Sequence, residues 1–473
     1  MRAPTRLALP VWGGQTGRML KRTVLLAALA AVPLSAQTHP ADDVSAERLE
    51  KDVAKLVSFG TRHTLSSQTD PARGIGAAVD WGLDEFRRIG ARCGGCLEVL
   101  PVGDTVTGPR VPVPTLVRNA VAIQRGTERP NEVVIVQGHI DSRVSDVMDA
   151  TSDAPGANDD GSGTALVIEA ARVLSGTKYP TTIIYALLSG EEQGLHGGQI
   201  LANWAEAQGF TVKAVLNNDI VGNSCGADGY CEPKIVRVFS EGPRADLTDR
   251  LRATQTRFGG ENDTPSRNLS RWVAGLAEKH PDGLQVRQIW RTDRMGRGGD
   301  QVPFLQKGYP AIRFSVGVED YDHQHQDLRT EGGVFYGDTI EEMDFAYLAG
   351  VTKLNVRALD ALARAPMPPK VAVDAAVRVD TEISWKAVPG AQVYSVVARA
   401  TDAPAWGEDF ALVYIDGPEA ANAVAVAEGR VFKHVKKLRG DDWMFGVAAC
   451  AGTFCSPVSS AVPGGAFEPV AKE

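Results

Sequence analysis

Apolar side chains recur at helical spacing over residues 44–58 and 72–90, and again over Ala165–Leu174, Ile200–Ala207 and Glu341–Ala363. Between these stretches lie short continuous apolar runs: Val133–Gln137, Thr182–Leu188, Val212–Leu216 and Ala311–Val316. Runs of this kind are strands buried on both faces. The pattern predicts an α/β fold, a mostly parallel central sheet flanked by helices.

Near Ala363 the style changes. Ala365-Pro-Met-Pro-Pro369 does not continue a helix and reads as a linker. Alternating, turn-punctuated segments follow at Val377–Trp385, Ala391–Ala400, Phe410–Ile415, Val431–His434 and Phe445–Cys450. They predict a small C-terminal all-β sandwich.

The first 36 residues read as a signal peptide, with Lys21 and Arg22 before the short apolar stretch Thr23–Leu34 and small residues Ser35 and Ala36 after it. Met19 is its natural start. The domains expected are therefore 1–36, 37–365 and 366–473. No other stretch is apolar enough to span a bilayer, so stable membrane insertion is not expected. Export to a periplasmic or extracellular compartment changes how the six cysteines read. They fall in close pairs, Cys93/Cys96, Cys225/Cys231 and Cys450/Cys455, which predict local disulfides. Cys93-Gly-Gly-Cys96 lacks a matching second half for a zinc ribbon, and no thioredoxin-like context surrounds it.

The chain has 473 residues, 43% hydrophobic and 23% charged, which excludes collagen, rods and disordered tails. Its formal charge is −8, with no Lys/Arg-rich run, and a nucleic-acid partner is not expected. Oligomeric state is not readable.

The chemistry follows the strands. Val133–Gln137 runs into His139 and Asp141, Thr182–Leu188 into Glu191 and Glu192, and Val212–Leu216 into Asp219. Ala311–Val316 precedes Tyr321-Asp-His323-Gln-His325, and Asp159-Asp160 sits at a helix start. Ligands bind at the carboxyl ends of parallel strands. So many carboxylates on one rim repel each other unless cations neutralise them. Histidine with carboxylate suits zinc, and the lack of cysteine fits a catalytic site. Five ligands exceed one tetrahedral ion, which suggests two metals sharing a bridging carboxylate.

His139-x-Asp141, Gly156-Ala-Asn-Asp159-Asp-Gly-Ser-Gly163, Glu191-Glu192-x-Gly194 and Asn218-Asp219 together resemble the ordered signature of the M28 co-catalytic zinc peptidases, a family that includes secreted bacterial aminopeptidases. The resemblance spans roughly residues 44–363 and implies a phosphorylase/hydrolase-like zinc exopeptidase fold with two Zn2+ ions. His139 and Asp219 would hold one zinc, and Glu192 and a late histidine the other. Asp159 would bridge them, Glu191 would be the general base, and Asp141 would fix the His139 tautomer. The late histidine is His323 by spacing to Asp327, or His325 by its Gln-His-Gln setting; His325 is preferred. Gly197-Gly198 and Gln301 depart from the family pattern, which often has Gly-Ser and His at those places. Asp300 and Asp160 are near-site candidates, Tyr321 is a candidate oxyanion donor, and His63 and His196 read as structural.

The function expected is a secreted aminopeptidase acting on peptides or proteins through a metal-activated water. The alternatives are a carboxypeptidase or dipeptidase of the same family, a glutaminyl cyclase and, last, a non-catalytic binding ectodomain. In the C-terminal part, Ile383-Ser-Trp385, Val388-Pro-Gly390 and Tyr394 resemble a fibronectin type III domain.

Overall fold

The protein is described by a computed structural model covering residues 39–407, 409–414, 425–427 and 429–471. The expected signal peptide lies outside these residues. A central sheet of eight strands has the order β1-β2-β4-β3-β5-β8-β6-β7. Its strands are β1 (Glu98–Gly108), β2 (Val111–Gln124), β3 (Arg129–His139), β4 (Thr181–Leu188), β5 (Thr211–Asn218), β6 (Ile235–Phe239), β7 (Gln285–Ile289) and β8 (Ala311–Val316). The neighbours β4, β3, β5 and β8 are mutually parallel. The β1–β2 hairpin joins antiparallel to β4, and β6 joins antiparallel to β8.

The helices are α1 (Ala46–Val57), α2 (Ile75–Arg92), α3 (Gly161–Leu174), α4 (His196–Ala207), α5 (Asp249–Phe258), α6 (Pro265–Glu278), α7 (Val302–Gln306) and α8 (Phe345–Arg364). Alternate residues of β3 feed two cores. Val134 and Val136 pack with α1, α2, α3 and α8, whereas Val133 and Ile135 pack with α4 and α7. That two-sided burial is why these strands carry unbroken apolar runs. No helix among the described residues is long and apolar enough to cross a membrane.

Two expectations shift. The last helix begins at Phe345, not Glu341, because the Asp344 side chain accepts the Tyr347 N–H and caps it there. The segment from Val377 is not one strand: Val377 is exposed at φ 55°, and separate strands flank it at Val371–Asp374 and Thr381–Lys386. The outer edge strand β1 escaped prediction because much of it is solvent-facing.

A short hairpin of residues 329–336 precedes α8, and two small facing sheets follow that helix. Val371–Asp374, Thr381–Lys386, Arg430–Val435 and Ala425–Ala427 form one sheet. Asp409–Tyr414, Val393–Ala400, Trp443–Ala451 and Phe454–Cys455 form the path of the other, with Ser459–Ser460 pairing alongside. Trp385, buried completely, packs edge-on against Tyr394 in their shared core. This C-terminal part is tied to the rest by a buried Arg399–Asp263 pair at 2.7 Å and by Trp272 Nε1 donating to the Cys455 carbonyl. Cys93–Cys96, Cys225–Cys231 and Cys450–Cys455 are all disulfide-bonded.

Candidate metal centre

Strands β4, β3, β5 and β8 end on the same rim, and each delivers a side chain. His139 is the last residue of β3. Glu191 and Glu192 follow β4, Asp219 follows β5, and His325 lies in the loop after β8. Asp159 stands just before α3. His139 Nε2 is 3.1 Å from Asp159 Oδ1 and 3.9 Å from Asp219 Oδ1. His325 Nε2 is 2.8 Å from Asp159 Oδ2 and 3.0 Å from Glu192 Oε1. Asp159 therefore turns one oxygen to each histidine.

His139, Asp159 and Asp219 form one group able to surround an ion, and Asp159, Glu192 and His325 form a second; His139, Glu191 and Glu192 also converge. The donor set is imidazole nitrogen and carboxylate oxygen, buried, with no thiolate. Glu192 Oε1 is buried and has no aligned hydrogen-bond donor. These features fit zinc.

The local electrostatics reflect the crowding. Burial opposes the charged ring of His139, but the carboxylates of Asp141 and Asp159 outweigh it and hold its pKa well above the ordinary value. His325 is raised to about 9: burial again opposes charge, and Glu192 and Asp159 overcome it. Burial raises Glu191 well above the carboxylate range, with Asp219 and Glu192 adding to the effect. Glu192 is lowered to about 2, as His325 outweighs its burial.

The surroundings order the rim. The Asp141 carboxylate accepts the backbone N–H groups of Glu191 and Glu192 at 3.2 and 3.1 Å and the Thr64 hydroxyl at 3.0 Å. His139 Nδ1 is closer to the Asp141 carbonyl, at 3.1 Å, than to its carboxylate, at 3.6 Å. The His139 ring thus faces both the carbonyl and the carboxylate of Asp141, and that carboxylate also shapes the Glu-Glu turn. Asp160 caps α3 and accepts the N–H of His139 and Ile220. Asp338 accepts the N–H of Asn158 and Asp159.

His323 is placed elsewhere, against Asp320 at 2.7 Å and Glu342 at 3.6 Å. Tyr321 is 64% exposed and is not among the residues that line the cavity. His63 is buried and packed on Gln193 and the Val147 carbonyl. His196 opens α4 beside Gly194. Gln301 links Asn217 to Asp293, and Asp300 accepts the Gly198 N–H. A Cβ at Gly198 would meet Asp300 Oδ1 at 2.5 Å, which explains glycine where the family pattern often has serine.

Sequence reasoning missed the arginines. Arg313, fully buried on β8, donates to Asp219 Oδ1 at 2.6 Å and pairs with Asp293 at 3.2 Å. Arg143 contacts Glu192 Oε2 at 2.7 Å and His325 Nδ1 at 2.5 Å. A charge inside the apolar run AIRFSV was the available signal for Arg313.

Comparison with known proteins decides the family. Residues 119–331 match Peptidase family M28. A probable zinc metalloprotease of Leptosphaeria maculans is 46% identical, across 77% of this chain and 86% of that protein. The chain belongs to peptidase family M28. By that membership it is a hydrolase and a zinc metallopeptidase. Another probable zinc metalloprotease, from Pyricularia oryzae, is 43% identical to this M28 peptidase across 79% of the chain and 78% of that protein. Both relatives are fungal, whereas the sequence motifs suggested a bacterial type. The solved Legionella pneumophila LapA aminopeptidase has a TM-score of 0.48 and 19% identity, covering 68% of this chain and 73% of that one.

Proposed function

We propose that this M28 peptidase is an exported exopeptidase working with two zinc ions. His139 and Asp219 would hold one ion and Glu192 and His325 the other, with Asp159 shared by both groups. The observation that carries the reading is Asp159, with Oδ1 3.1 Å from His139 and Oδ2 2.8 Å from His325. When bound, zinc supplies Lewis acidity at the scissile carbonyl and acidifies the attacking water. Glu191 takes the proton of that water and returns it to the leaving amine. Asp141 holds the Glu191 backbone so that its carboxylate faces the cluster. Arg143 and Arg313 keep Glu192 and Asp219 oriented.

Aminopeptidase action is the reading carried from the sequence. Export rests on the leader-like N-terminus and is supported by three disulfides. The C-terminal sheets are a fibronectin-like accessory module that adds no group to the cluster. Metal analysis of the full chain, with hydrolysis of free, acetylated and C-terminally amidated peptides before and after chelation, tests all of this. Two zinc ions per chain and cleavage restricted to free N-termini are expected. One tightly held zinc with pyroglutamate formation would mean a cyclase; cleavage requiring a free C-terminus would mean a carboxypeptidase.

A further inference from the structure

The cavity in front of the cluster has a volume of about 440 Å³. Four guanidinium groups line it: Arg110, Arg143, Arg294 and Arg297. Its carboxylates are Asp159, Glu191, Glu192 and Asp219, all engaged as ligands or base in the proposed reading.

The arginines are less well matched. Arg143 is committed to Glu192. Glu319 is shared by Arg237, Arg294 and Arg297 at 2.6, 3.3 and 3.1 Å, so three guanidiniums lean on one carboxylate. Asp293 helps Arg294 at 3.1 Å but also serves Arg313. Arg110 stands at the two-residue tip of the β1–β2 hairpin, between Gly108 and Val111. Its Nη1 donates to the Glu192 carbonyl at 2.9 Å, which tethers the exposed side chain at the cavity mouth. No carboxylate among the described residues pairs with it. A guanidinium fixed at one nitrogen presents the rest of its planar fork to a carboxylate. Two divalent ions would cancel the charge of the four lining carboxylates, leaving the arginines to set a positive field in the cavity.

We propose that the site selects substrates carrying a carboxylate beside the scissile bond, anchored by Arg110, with Arg297 extending the positive rim. The inference rests on the two-zinc reading for where the scissile bond lies. The carboxylate belongs either to a free C-terminus or to an Asp or Glu side chain; the recognition chemistry is the same.

The test compares two peptide pairs on the zinc-loaded full chain, all with free N-termini. One pair differs only in a free or amidated C-terminus, and the other, amidated throughout, only in Glu or Gln next to the scissile bond. At least one pair is expected to favour the carboxylate about tenfold or more in kcat/KM, the scale of one charge-assisted hydrogen bond. The first pair identifies a terminal carboxylate, the second an acidic side chain. Arg110→Ala should shrink that preference toward unity, and Arg110→Lys should restore part of it. Calorimetry with N-acetylglutamate and its uncharged diamide gives a readout that needs no turnover. Equal kcat/KM within both pairs, or an intact preference in Arg110→Ala, overturns the proposal. Arg110-dependent binding of N-acetylglutamate without cleavage of any of these peptides keeps the carboxylate site and removes the two-zinc exopeptidase reading.

Discussion

The two halves of the proposed metal cluster are built differently. His139 and Asp219 sit at the ends of adjacent core strands, and both are almost wholly buried. Asp219 is held by Arg313, which is held in turn by Asp293. His139 is fixed at its backbone by Asp160 and at its ring by the Asp141 carbonyl. The Glu192–His325 half hangs on a turn and a loop. His325 is in the left-handed region at φ 56°, its side chain is 20% exposed, and Arg143 beside it is 17% exposed. One half is thus prepared by the sheet, whereas the other depends on a loop that surrounding contacts must hold in a costly conformation. Rigid strand ends give precision, and loops give access; the shared Asp159 joins the two.

The sharpest way to break this contrast is Asp159→Ala, which in the proposed reading removes a ligand from both halves. Zinc content should fall below one per chain by atomic absorption, and hydrolysis should vanish. Glu191→Gln should retain both ions while kcat drops by about 10²–10⁴, the usual share of a positioned base; wild-type turnover in that variant would remove Glu191 from the chemistry. The next comparison sets Arg313→Ala against Arg143→Ala. Losing Arg313 leaves Asp219 in the interior without its arginine, while Asp293 keeps Arg294, at about 3–5 kcal/mol of stability in denaturant unfolding. Losing Arg143 should leave unfolding nearly unmoved and weaken zinc retention about tenfold against a chelator. Equal effects of the two would erase the difference between the halves.

The last comparison lies outside both halves and concerns pH. Glu241 is away from the cluster, and burial raises its pKa to about 8. Its folded-state pKa exceeds the unfolded one. The stability it contributes is therefore complete below the unfolded value, near 4.5, and is lost as pH rises through 8. Glu241→Gln should flatten the stability profile over that window, by up to about 1.4 kcal/mol per pH unit.

Much of the rim was legible in the sequence because each group follows an apolar run. The parallel order of β4, β3, β5 and β8 turns that local rule into one cluster. The arginines were not legible in this way. Arg110 reaches the site from the tip of a hairpin whose outer strand is largely solvent-facing. Asp338 acts on Asp159 from 179 positions away. Asp141 also meets the Glu pair with its carboxylate and His139 with both carbonyl and carboxylate, a distinction of atoms that residue spacing does not carry. The choice between His323 and His325 likewise depends on how one loop turns: only His325 comes within 3.0 Å of Glu192.

The Arg399–Asp263 pair bears on how the C-terminal sheets can be handled. Asp263 is 1% exposed, and its charge is met by a side chain from the other side of the linker. A truncation after α8 would expose Trp272 and leave Asp263 with Arg271, at 3.6 Å, in place of its closer partner Arg399. The accessory part is therefore a keystone in the arch and not a detachable label. Transplanting the peptidase into another chain means carrying these sheets along, or first rewriting position 263 as a neutral residue.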